Sequence, residues 1–277
     1  MLDDETPDQQ PDEAAKGWWA RFKAMPVDSA PKTIFVAVTL CLFCSMVVAM
    51  AAVSLRPVQD ANRLRDKQIN ILQVAGLYEP GMNVTEAFSQ SFVPRAVDLA
   101  TGQYTDAVDP LTYDERAAAQ DPDLSVALTN DPAGIGRKVK YEVVYLMEDA
   151  SGNLERVIMP IHGYGLWSTL WGFIALDANG NDIYGLQFYE HAETPGLGGE
   201  VDNPRWRALW QGKKLRDDEG DLEITVAKTI PPAGPEYHVD ALAGATLTSR
   251  GVDSLVRFWM GQEGFGPYLE NLKSGEV

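Results

Sequence analysis

Asp240-Ala241-Leu242-Ala243-Gly244-Ala245-Thr246-Leu247-Thr248-Ser249 carries small residues and hydroxyls straight into a helix start. Beyond it Val252, Leu255, Val256 and Trp259 fall at i, i+3, i+4 and i+7, the stripe of an amphipathic helix, and Gly261 closes it. Thr248 or Ser249 is the expected N-cap. Gly244 and Ala245 leave the backbone uncrowded, so free N–H groups and the positive end of the helix dipole face an anion beside Thr246, a phosphate first of all. Gly-Ala-Thr by itself is also a common tight turn before a helix, so its meaning depends on the rest of the chain.

Upstream of this stretch the pattern is that of strands. Tyr141–Leu146 and Arg156–Ile161 flank the turn Ala150–Asn153, and Ile174–Asp177 and Ile183–Tyr189 flank Ala178–Asn181, which reads as antiparallel hairpins. Pro204–Trp210 reads as a short helix and Leu222–Val226 as a further strand before the loop Pro231–Pro235. The expected class is α+β, an N-terminal transmembrane helix followed by a domain with a curved, mostly antiparallel sheet flanked by helices.

The 277 residues, 45% hydrophobic and 23% charged, suffice for one sizeable domain with accessories. A formal charge of −17 argues against nucleic acid, whose phosphates would be repelled. Both cysteines, Cys41 and Cys44, lie inside an apolar run and read as small packing residues, which leaves the soluble part without a disulfide or a thiolate ligand. His162, His191 and His238 share no metal-ligand spacing, so no metal site is expected. No G-x-G-x-x-G opens a βαβ unit, and Ser168, His162 and Asp177 have no hydrolase context around them, so no catalytic residue is assigned.

Residues 1–32 combine an acidic tail, rich in Asp and Glu up to Glu13, with the aromatic and basic segment Gly17–Lys23 suited to the headgroup level. Residues 33–55 hold no charge, and Ile34–Val53 supplies about 20 apolar or small residues, roughly 30 Å of helix, enough to cross a bilayer. Ala49-Met50-Ala51 imitates a signal-peptide cleavage site, but the run is longer than a signal core and its acidic leader is wrong for one, so an uncleaved single-pass anchor is expected. Basic residues balance on the two sides of the span and do not set its orientation. Residues 56–137 read as a stalk helix after Pro57, then a connecting subdomain with helical pieces near Val84–Phe92 and Tyr113–Gln120, and residues 138–277 as the main domain.

The motif at 240–248 resembles that of the covalent-FMN-binding subunits, whose D-x-x-[S/T]-G-A-T-x-T sequence carries FMN in phosphoester linkage to its first threonine, here Thr246. The likeness is to the family of C subunits of the Na(+)-translocating NADH:quinone reductase, related to the G subunit of the Rnf complex. It extends to Glu193-Thr194-Pro195-Gly196-Leu197-Gly198-Gly199-Glu200, to Gly165-Leu166-Trp167-Ser168 and to the single anchor. One departure is Ala243, which stands where the motif has Ser or Thr, so one hydroxyl of the stretch offered to the attaching flavin transferase is missing.

The resemblance implies FMN as covalent cofactor. It implies that Gly244, Ala245, Leu247 and Thr248 surround the phosphoryl group, and that Glu193, Thr194, Gly196, Leu197 and Gly198 lie against the isoalloxazine ring with Leu197 as an apolar wall. Leu166, Trp167 and Ser168 would edge the ring, with the core as the other place for Trp167; read from the residues themselves, Lys228 either neutralises the phosphate or the reduced ring or faces solvent, and Asp240 serves transferase recognition or fixes the turn. It further implies an electron-relay subunit without turnover of its own, fed from a membrane iron–sulfur centre and feeding another flavin subunit. The bilayer, the other subunits and the transferase would be its partners, and the FMN domain would lie on the periplasmic side of the bacterial inner membrane. Two alternatives stay open, the equivalent subunit of an Rnf-type ferredoxin:NAD complex and a membrane-anchored assembly protein without a redox role.

Overall fold

The computed structural model describes residues 17–26 and 29–277, and the acidic tail expected over 1–16 lies outside the described residues. They fall into two compact units, one ending at Asn62 and one running from Arg63 to Val277. In the first, α1 (Trp18–Ala24) brings Trp18, Trp19 and Phe22 against Phe35 of α2 (Ala30–Val74), with ring centroids 4.6–6.1 Å apart. Ile34, Leu40, Phe43, Val48 and Val53 are all exposed, the state of a helix whose solvent is lipid. Among the described residues α2 is the one helix long and apolar enough to cross a membrane.

Pro57 is the expected break between anchor and stalk, and the structure shows none there. It lies inside α2, which continues to Val74. A proline removes a single N–H and crowds a single carbonyl, and long helical flanks on both sides carry the chain through such a defect.

In the second unit six strands form one antiparallel sheet in the order β2-β1-β5-β6-β7-β8. They are β1 (Val93–Asp98), β2 (Gln103–Tyr104), β5 (Tyr141–Glu148), β6 (Leu154–Tyr164), β7 (Thr169–Asp177) and β8 (Ile183–Glu190). A separate hairpin pairs β3 (Ser125–Ala127) with β4 (Arg137–Val139). The expected hairpins 141–161 and 174–189 are present, each strand extending somewhat beyond its pattern at one end or the other. The expected boundary at Lys138 does not separate two bodies, because β1 pairs along its whole length with β5, Val93 opposite Leu146 and Asp98 opposite Tyr141. A strand near the edge of a sheet needs only a short apolar segment, and Val93-Pro94-Arg95-Ala96-Val97 hides its membership behind Pro and Arg.

Both faces of the sheet are covered, which explains why Val143–Met147 and Val157–Ile161 are apolar without alternation. Val144, Val157, Met159, Ile161 and Ile174 point to one core, shared with Val252, Leu255, Val256 and Trp259 of α6 (Thr246–Met260). Val143, Tyr145, Ile158, Phe173 and Ala175 point to the other, shared with Ile71, Leu72 and Val74 at the end of α2 and with Val84 of α3 (Val84–Ser91). The helix α4 (Glu115–Gln120) starts on Asp114, whose carboxylate accepts the N–H groups of Arg116 and Ala117. The short α5 (Pro204–Arg207), the 3-10 turn Ala208–Trp210 and α7 (Gly266–Ser274) complete the set.

The strand expected at Leu222–Val226 is shorter and later, β9 (Thr225–Ala227), and its partner is β10 (His238–Asp240) in parallel register. That pairing delivers the chain to Asp240 at the start of the motif. Trp206 and Trp210 pack edge to face, 5.8 Å between centroids, as core residues.

Candidate functional site

Three segments far apart in sequence meet at one end of the sheet, and Glu193 joins them. One carboxylate oxygen, Oε1, accepts the N–H groups of Leu166 and Trp167, each at 2.9 Å, from the turn between β6 and β7. The other, Oε2, accepts the hydroxyl of Thr248 in the first turn of α6 at 2.6 Å. Burial pushes this acid up, but the Thr248 hydroxyl and the N–H groups of Trp167, Leu166 and Ser168 outweigh it and hold the carboxyl below its ordinary range. Ser168 ties the same corner, its Oγ accepting the N–H of Ala192 at 2.7 Å. The polar groups of Glu193, Thr248 and Ser168 are thus turned inward as framework.

Gly198 is part of that framework by its smallness. A Cβ there would stand 2.5 Å from Thr248 Oγ1 and 2.6 Å from Glu193 Oε2, so no side chain fits while the bond between them is kept.

The start of α6 differs from expectation in one respect. The N-cap is Ala245, and neither Thr248 nor Ser249 caps the helix. Ser249 sits one turn further in, donating its hydroxyl to Ala245 O at 2.9 Å and accepting the N–H of Leu242 at 3.0 Å. Because Gly244 takes φ +76°, the chain turns into the helix a few residues earlier than the hydroxyls suggest. An alanine cap offers no side-chain acceptor, and the N–H groups of Thr246, Leu247 and Thr248 find none among the described residues. The first N–H used in the helix is that of Ser249, to Ala245 O at 2.9 Å.

Around these free donors the surface is apolar and open. Leu197, Leu247 and Trp167 are 45%, 53% and 65% exposed, Leu166 precedes Trp167 in the β6–β7 turn, and Leu197 approaches Gly244 closely. Thr194, Gly196 and Leu197 belong to one loop, with Thr194 O accepting the N–H groups of Leu197 (3.1 Å) and Gly199 (2.9 Å) to shape it. Thr246 is half-buried, and the side-chain hydrogen bonds at the start of α6, Thr248 to Glu193 and Ser249 to Ala245 and Leu242, leave its hydroxyl out. A flat ring with an anionic tail meets here what it requires, an apolar rim and a cluster of unused donors.

Lys228 follows β9 directly, one residue beyond Ala227, whose carbonyl accepts the N–H of Ala241 at 3.0 Å. Asp240 is held by its backbone, Trp206 Nε1 donating to its carbonyl at 2.8 Å, while its carboxylate is exposed. His162 belongs to neither Ser168 nor Asp177. It stacks on Trp171 at 4.3 Å and lies against Trp259 at 4.9 Å, and burial, reinforced by the charge of Arg116, pulls it down to about 4. No group of three or more metal-ligating side chains occurs among the described residues. A cavity of about 470 Å³ opens elsewhere, between Leu99, Val126, Leu128, Lys138 and Tyr141, and shares no residue with the three segments. His191, which contacts Glu193 and Asp202 beside the candidate site, is a residue that the sequence did not single out for it, since a histidine after a strand carries no motif of its own.

Residues 165–261, which contain all three segments, match the FMN-binding domain family. The C subunit of the Na(+)-translocating NADH-quinone reductase of Pseudomonas aeruginosa is 51% identical over 258 residues, covering 90% of this chain and 98% of its own. The corresponding protein of Yersinia pestis is 47% identical over 255 residues, covering 90% and 96%. The crystal structure of Shewanella oneidensis NqrC superposes with a TM-score of 0.70 at 37% identity, over 76% of this chain and 98% of that one.

Proposed function

The chain belongs to the NqrC family, the C subunits of the Na(+)-translocating NADH-quinone reductase, and on that premise we propose that it carries FMN in phosphoester linkage to the hydroxyl of Thr246. The carrying observation is the uncapped start of α6, where the N–H groups of Thr246, Leu247 and Thr248 are unused beside a hydroxyl that the side-chain hydrogen bonds there leave out. Those donors and the helix dipole hold the phosphate, and Lys228 supplies a cation to it or to the reduced ring. Leu197, Leu247, Leu166 and Trp167 form the apolar rim for the ring. Glu193, Thr248 and Ser168 act one layer deeper, keeping that rim in place.

The flavin, when bound, supplies electron-accepting and electron-donating chemistry, which makes the subunit a relay between a membrane iron–sulfur centre and the flavin of a neighbouring subunit. Sodium movement belongs to those partners. A covalent link suits a chain with a formal charge of −17, because it keeps an anionic cofactor at high effective concentration where non-covalent affinity is opposed by charge. It also suits a domain on the periplasmic side, from which a dissociated cofactor is not recovered. The carboxylate of Asp240, exposed apart from a 3.9 Å approach of His238 Nδ1, is accessible to the flavin transferase, and Ala243 leaves that recognition without one hydroxyl.

Intact mass of the full chain, expressed with and without a flavin transferase, tests the linkage. One added FMN moiety, FMN less the elements of water, is expected with the transferase, and Thr246→Ala is expected to abolish it together with in-gel flavin fluorescence after denaturation. A Thr246→Ala chain that keeps the added mass places the linkage on another residue.

A further inference from the structure

His191 stands at the mouth of the loop that runs from Ala192 to Val201, and its two ring nitrogens reach the two ends of that loop. At the entry, the N–H of Glu193 donates to His191 Nδ1 at 3.2 Å. At the exit, His191 Nε2 lies 2.8 Å from Asp202 Oδ2, at the last residue of the 3-10 turn Gly198–Asp202. Since the first contact requires a lone pair on Nδ1, the ring is neutral with its proton on Nε2, and Nε2–H donates to the Asp202 carboxylate. The ring is largely covered by protein, so water does not readily replace either bond.

We infer that His191 is a positioning residue for the flavin, a neutral staple that closes the 192–202 loop and thereby sets where Glu193 and Leu197 stand. Glu193 is the residue through which the effect travels. Its N–H is held by the imidazole, its carboxylate holds Leu166, Trp167 and Thr248, and Leu197 lies four residues further along the same loop. Displacement of the Glu193 backbone therefore moves both walls of the rim relative to Thr246. No other side chain of the described residues bonds to both ends of this loop.

This inference rests on the reading of the rim as the flavin site, and its test has one arm that does not. In the full chain in detergent, without flavin, ¹⁵N-labelled histidine is expected to show one protonated and one unprotonated ring nitrogen for His191 at neutral pH, the proton on Nε2. A proton on Nδ1 at that pH overturns the staple.

In the flavin-loaded chain His191→Phe, His191→Asn and His191→Gln are compared by the visible flavin band and the midpoint potential. Asparagine offers an acceptor near the Nδ1 position and glutamine a donor near the Nε2 position. A shift of the flavin band and midpoint potential in the Phe variant, partly reversed in Asn or Gln, is the expected result, at unchanged flavin content by mass. A Phe variant with wild-type band and potential overturns the inference, and so does a shift that neither Asn nor Gln reduces, which is ring packing alone. If the Phe chain does not fold, His191→Ala takes its place, removing both ring contacts: a wild-type band and potential in Ala overturn the inference, and a shift in Ala that Asn or Gln partly reverses supports it. Absence of flavin from the wild-type chain condemns the reading of the site and leaves the nitrogen measurement to decide the staple.

Discussion

Glu193 beneath the Thr246 rim and Glu142 on β5 are both buried carboxyls, 4% and 1% exposed, and their surroundings drive them in opposite directions. Glu193 is met by two N–H groups and a hydroxyl and is held below the ordinary carboxylate range, against the push of burial. Glu142 has an oxygen, Oε1, without any partner among the described residues. Burial pushes it well above 4.5, the neighbouring Glu115 adds to that, and Lys67 opposes it only in part because Lys67 is already paired with Glu115 at 3.2 Å. Burial therefore does not by itself decide a carboxyl's charge. Directed donors do, and they are concentrated at the corner where three segments must be held together.

The contrast breaks most severely at Glu193→Ala, which leaves two N–H groups and the Thr248 hydroxyl without their acceptor. A loss of about 2–4 kcal/mol in chemical denaturation is expected, at about 1–3 kcal/mol per orphaned group where it is buried. The pH dependence has a definite sign. A carboxyl held below its unfolded value of 4.5 gives stability that is present above that pH and is lost as pH falls through the lower, folded value. The acid limb of the stability profile is expected to flatten in Glu193→Gln, and an unchanged limb would show that the carboxylate is not held as described.

Next in size is Gly198→Ala, whose methyl would come within 2.5 Å of Thr248 Oγ1 and force the Glu193–Thr248 bond apart. About 1–3 kcal/mol of destabilisation is expected in thermal melts, with the visible band of the loaded chain shifted.

Glu142→Gln sharpens the contrast from the other side. In the wild type the folded state binds more protons than the unfolded one from pH 4.5 up to the raised folded value, so stability falls as pH rises through that window. The glutamine chain lacks this slope and is expected to be the more stable of the two at the alkaline end. A glutamine variant less stable than the wild type there would contradict the unpartnered oxygen.

The smallest effect belongs to Leu247→Ala on the rim. At 53% exposure it is expected to change stability by no more than about 0.5 kcal/mol, because it removes little core, while the proposed place of Leu247 on the rim predicts an altered flavin band. A large stability loss would mean that Leu247 is core rather than rim.

Much of this is legible residue by residue. The stripe Val252, Leu255, Val256 and Trp259 announces α6, and all four are buried. The uncharged run from Thr33 announces the span, and turn residues around 150 and 179 announce the hairpins. The rest depends on distance along the chain. β1 joins the sheet through β5, whose residues lie more than 40 positions later, Asp98 opposite Tyr141, and β9 pairs with β10 across a loop, in parallel register that no local pattern encodes. The expected N-cap is displaced because Thr248 and Ser249 have the right chemistry for it, but Glu193 and Leu242 use their hydroxyls instead.

From its order of residues alone the chain determined a membrane-spanning helix, an antiparallel sheet and a threonine placed at a helix start. These follow from periodicity and backbone preference, which act within a few residues. Which polar groups face inward and which remain unused was decided only when residues 165–168, 193–198 and 246–248 came together. Hydrogen bonds between them span 26 to 55 positions, and only the packed sheet and α6 bring such partners within hydrogen-bond distance.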